Sequence, residues 1–83
     1  MQHNQAFTAE ELQKEARRAI ETAEGETQSS VARKLGVTRN AIHLALTTDT
    51  PSRYARILGR IIATLSDYEI EATTVYRAVR KRK

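Results

Sequence analysis

Residues 28–47 read QSSVARKLGVTRNAIHLALT, with apolar residues at Val31, Leu35, Val37, Ile42, Ala45 and Leu46 around a single glycine, Gly36. One continuous helix through Gly36 is disfavoured, because a glycine in a helix interior costs about 1 kcal/mol relative to alanine. Two short helices folded about Gly36 direct Val31, Leu35, Val37, Ile42 and Ala45 into one core, with Ala32 small where the helices cross. Thr27 then caps a helix over 28–35 and Thr38 caps one over 39–47. The arrangement is a helix-turn-helix.

The flanking segments supply helices to complete that core. In FTAEEL, Thr8 and Glu11 form a capping box, and Phe7 and Leu12 take the two positions of a hydrophobic staple. Leu12, Ala16, Ala19, Ile20 and Ala23 follow at helical spacing, and Gly25 can end the helix in a left-handed conformation, giving a helix over 9–23. Pro51 suits the first position of a helix capped by Thr50. From Tyr54 through Ile57, Leu58, Ile61, Ile62 and Leu65, an unbroken apolar stripe predicts a helix over 51–66.

The segment DYEIEATTVYRAVRKRK reads in two ways. At period two, Tyr68, Ile70, Ala72, Thr74, Tyr76 and Ala78 share a face; at helical period, Leu65, Tyr68, Ala72, Val75 and Val79 align. The cluster Thr73, Thr74, Val75, Tyr76 favours a β-strand over 68–79, the alternative being an all-α domain with a fifth helix. A lone strand needs a partner, which the same strand of a second subunit would supply through Tyr68, Ile70, Thr74 and Tyr76. The expected fold is thus mainly α: one helix-turn-helix domain over 1–83 with four helices, a C-terminal extension and a flexible basic tail, 80–83.

Charge is unevenly distributed along the 83 residues. Residues 1–26 hold six acids against three bases (−3), 27–66 six bases against Asp49 (+5), and 67–83 three acids against five bases (+2), summing to the net +4. The positive segment contains the two short helices, as expected of a front that meets a polyanion. The absence of cysteine excludes disulfides and cysteine metal sites, and His3 and His43 lack metal-ligand spacing. No glycine-rich phosphate loop, paired-carboxylate pocket or nucleophile beside a base is present, so an enzyme, a cofactor and a small-molecule ligand are not expected. No apolar run reaches membrane-spanning length and MQHNQAFTAEE has no signal-peptide pattern, so a cytoplasmic setting is expected.

Gln28, Ala32, the triplet Leu35-Gly36-Val37, the pair Ala41-Ile42 and Ala45 together resemble the helix-turn-helix of phage Cro and repressor proteins, the lambda-repressor-like group. The resemblance covers residues 28–47 and, by helix order, extends over 9–65. It implies a transcriptional regulator, a repressor by this likeness, that binds a palindromic operator in double-stranded DNA as a homodimer, with helix 39–47 in the major groove. Thr38, Arg39, Asn40, His43 and Leu44 would occupy the base-reading positions. Arg39 can pair with guanine and Asn40 with adenine, whereas Leu44 departs from the polar residue the pattern leads one to expect. Gln28, Ser29, Ser30, Arg33, Lys34, Thr47, Arg53 and Arg56 would contact phosphates. Two other readings are an architectural or recombination accessory DNA-binding protein, and a protein-interaction module using the acidic first helix.

Overall fold

The structure, a computed structural model, describes residues 1–72 and 75–82. Its elements are β1 (Ala6–Phe7), α1 (Ala9–Thr22), α2 (Gln28–Leu35), α3 (Arg39–Thr47), a 3-10 turn (Pro51–Tyr54), α4 (Ala55–Leu65), β2 (Tyr68–Ala72) and β3 (Tyr76–Arg80). Four helices enclose a core in which Leu12, Val31, Ile42, Leu58, Ile61 and Ile62 are fully buried. A small antiparallel sheet of order β1-β3-β2 covers its far side. No helix among the described residues is long and apolar enough to cross a membrane.

Local chemistry accounts for the helix starts. Thr8 Oγ1 accepts from Glu11 N–H (3.2 Å) while Thr8 N–H donates to Glu11 Oε1 (2.9 Å), the expected capping box. Thr27 and Ser30 form a second box at α2, and Thr38 accepts from Ala41 N–H at α3. The α2–α3 turn is a Schellman motif: Val37 N–H donates to Ala32 O (3.0 Å) and Gly36 N–H to Arg33 O (3.3 Å). Gly36 has φ +70°, the left-handed region glycine enters without a Cβ penalty.

Several expectations need correction. The fourth helix does not begin at Pro51: residues 51–54 form a 3-10 turn, Thr50 makes no side-chain cap, and the α-helix starts at Ala55. Tyr54, at φ −115° and ψ 14°, breaks the helical path between them. The first helix closes at Thr22, because Ala23 is already extended and Gly25 lies beyond it in the turn.

The largest correction concerns 68–79. It is neither one strand nor a fifth helix but a hairpin, with Tyr68 opposite Arg80, Ile70 opposite Ala78 and Ala72 opposite Tyr76. Even-numbered residues of both arms therefore share the face that packs on α4, as period two requires. The partner for the strand comes from within the chain: β3 pairs with β2 on one side and with Ala6–Phe7 on the other. Part of the basic tail is also engaged, since Arg80 ends β3 and Lys81 N–H donates to Asp67 O (2.9 Å).

Candidate nucleic-acid interface

Burial on α3 is one-sided. Ile42, Ala45 and Leu46 enter the core, whereas Arg39, Asn40, His43, Leu44 and Thr47 face solvent, with Thr38 exposed at the N-cap. The structure thus brings the five residues expected to read bases together as one exposed row from the N-cap to the middle of α3. Leu44 is 42 % exposed, an apolar side chain among polar neighbours. An apolar side chain placed there suits a thymine methyl rather than a hydrogen-bonding base edge.

The helix is held at its C-terminal end from outside. Gln13 on α1 donates through Nε2 to Ala45 O (3.0 Å) and Thr48 O (2.9 Å), and Arg17, one turn later, donates to Leu46 O. Arg17 adds a positive charge where the helix dipole is negative and where α3 has no basic residue of its own. Arg60 on α4 does the same for α2, donating to Leu35 O (2.8 Å). Both helices of the motif are therefore fixed to the scaffold through their terminal carbonyls.

The residues expected to contact phosphates sit in different surroundings. Ser29, Arg33, Arg53 and Arg56 are exposed. Ser30 and Lys34 instead converge on Glu26: Ser30 Oγ donates to Glu26 Oε1 (2.7 Å) and Lys34 forms an ion pair with Oε2. Those two hydrogen bonds hold the Glu26 carboxyl below its usual range. The carboxylate thus takes the contacts from Ser30 and Lys34 that a phosphate would take. Thr47 Oγ1 donates to His43 O within its own helix (2.8 Å). Gln28 is half-buried, and its Oε1 is buried with no hydrogen-bond partner among the described residues.

Of the residues assigned to dimerisation, Tyr68, Ile70 and Tyr76 are half-buried against the chain's own core, and Thr74 lies outside the described residues. Sequence reasoning missed Gln13, Arg17, Arg60 and Glu26. The i, i+4 spacing of Gln13 and Arg17 marks one side of α1, but nothing local announces that α3 ends beside it. No family model, curated protein or solved structure matches this chain.

Proposed function

We propose that this chain is a sequence-specific double-stranded DNA-binding regulator of the Cro/repressor type, a non-catalytic cytoplasmic protein. It acts as a homodimer on a palindromic operator and represses by occupying the site. The observation that carries this reading is the exposed row Arg39, Asn40, His43 and Leu44 on a helix whose opposite face is buried and whose C-terminal carbonyls are pinned by Gln13 and Arg17. A helix so held can enter a major groove with its N-terminal residues at the base edges, which is how helix-turn-helix proteins read sequence.

In this reading Arg39 donates to guanine O6 and N7, Asn40 pairs with adenine and His43 contacts an adjacent base. Gln28, Ser29, Arg33, Arg53 and Arg56 hold the phosphate backbone, supported by the net +5 of residues 27–66. Two copies place their α3 helices in successive major grooves about 34 Å apart.

Selection of random duplex DNA on the purified protein at physiological salt tests this directly. The expected product is a palindrome with half-sites one helical turn apart. Binding without sequence enrichment would replace the reading with an architectural role. No binding even at low salt would leave a protein-interaction module.

A further inference from the structure

The sheet has one long open edge. Because Lys81 N–H donates to Asp67 O, the bonded pairs of the hairpin fall at odd positions of β2, which turns the N–H and C=O of Ile70 and Ala72 away from β3. Among the described residues no strand pairs with them there.

Beside this edge runs a groove of about 640 Å³ between α4 and the hairpin. Ala55, Gly59 and Ala63 of α4, spaced about one turn apart, leave it open with little or no side chain, and Ile70 forms a wall. The approach there is close: a Cβ on Gly59 would stand 3.3 Å from Ile70 Cβ. Arg53 and Arg56 line the same groove, both exposed, and among the described residues neither is in an ion pair.

A second copy of the chain is a poor occupant. Antiparallel pairing of two β2 strands about a two-fold axis sets Glu69 opposite Glu71, or one of them opposite itself, in the registers that place Ile70 opposite Tyr68, Ile70 or Ala72. Like charges directly opposite one another are destabilising. Charged edges of this kind are a common guard against self-pairing.

We propose that this groove docks a short extended segment of a partner protein, which adds a strand to β2 at Ile70 and Ala72 and directs small apolar and acidic side chains inward. The apolar residues cover Ala55, Gly59 and Ala63, and the carboxylates meet Arg53 and Arg56. Main-chain bonds at the edge supply affinity and the inward side chains supply selectivity. Since Arg53 and Arg56 are also assigned to phosphates, the segment and DNA compete for them. That makes the groove a point of control over DNA binding.

The probe is the acetylated, amidated peptide Thr-Val-Thr-Glu-Thr-Val-Thr-Glu, titrated into the isotope-labelled protein without DNA. Saturable amide shifts centred on Gly59, Ile70 and Ala72 are expected. The exposed double variant Arg53→Glu/Arg56→Glu should bind about tenfold more weakly or worse, and a peptide with lysine in place of glutamate should not bind. Absence of shifts at millimolar peptide overturns the proposal, as does binding that survives the charge reversal. Shifts at the same amides on raising protein concentration alone would assign the groove to a second copy and also overturn it. The titration contains no DNA, so its result stands apart from the DNA-binding reading. Duplex DNA added to the complex should reverse the shifts; DNA that binds without reversing them overturns the competition.

Discussion

Gln13 of α1 and Ala45 of α3, 32 positions apart, are joined by a hydrogen bond of 3.0 Å from the side-chain amide to the helix carbonyl. The same amide reaches Thr48 O, and Arg17 reaches Leu46 O. A helix leaves its last four carbonyls without internal partners. Here α1 supplies donors to three carbonyls at that end, so the exposed row on α3 is held by a contact on its opposite side.

Removing that amide should be costly. Gln13→Ala leaves part-buried carbonyls without a donor, and we expect a loss of about 1–2 kcal/mol in urea unfolding. Amide exchange at Thr47 and Thr48 should quicken more than at α4. Equal acceleration everywhere would mean that the contact stabilises the fold without fixing α3.

At Gly36 the cost is conformational. A Cβ there would meet nothing within 4 Å, yet φ is +70°, so Gly36→Ala should destabilise by about 1–2 kcal/mol through the left-handed backbone alone. Gly36→Asn should cost less, because asparagine tolerates this region. Thermal melts of the two variants decide the point, and equal melting temperatures would refute it.

Two carboxylates make stability depend on acid. Glu11, through its hydrogen bonds with Thr8, and Glu26, through those from Lys34 and Ser30, are both held below the usual carboxylate range. A lowered folded pKa contributes stability that is full above the unfolded value and is lost as pH falls through the folded one. Stability should therefore fall as pH drops below about 4.5, and Glu11→Gln/Glu26→Gln should show a shallower decline. Urea unfolding at a series of pH values between neutral and acid checks both curves.

If the chain binds DNA as proposed, base and phosphate contacts separate by their salt response. On a selected operator, Arg39→Ala and Asn40→Ala should each cost about 1–3 kcal/mol while leaving nonspecific affinity nearly unchanged. Arg53→Ala should weaken all duplexes alike and lower the salt slope by about one. An unchanged ratio of specific to nonspecific affinity in the α3 variants would refute the base-reading role proposed for them.

Glu26→Gln releases the side chains of Ser30 and Lys34. Its nonspecific DNA affinity should rise and its salt slope steepen, because Lys34 becomes free to neutralise a phosphate. An affinity equal to that of the unaltered protein would show that Lys34 stays clear of the backbone.

What the chain's own sequence determined is what depends on residues three or four apart, or on alternation. Thr8 with Glu11, the glycine at 36 and the spacing Leu58, Ile61, Ile62 act within one turn, and each appears in the structure where local rules placed it. The face of α3 left to solvent follows from the same spacing, and the even-numbered inward face of the hairpin follows from alternation. The tertiary structure alone decided which distant groups meet. Thr73, Thr74 and Val75 carry no glycine, proline or asparagine to signal a reversal, so the division of 68–79 into two arms was invisible, as was the pairing of Phe7 with Tyr76. Backbone donors and acceptors are the same in every residue but proline. Which of them Gln13, Arg17 and Arg60 satisfy therefore depends on where packing brings the helix ends, and composition carries no record of it.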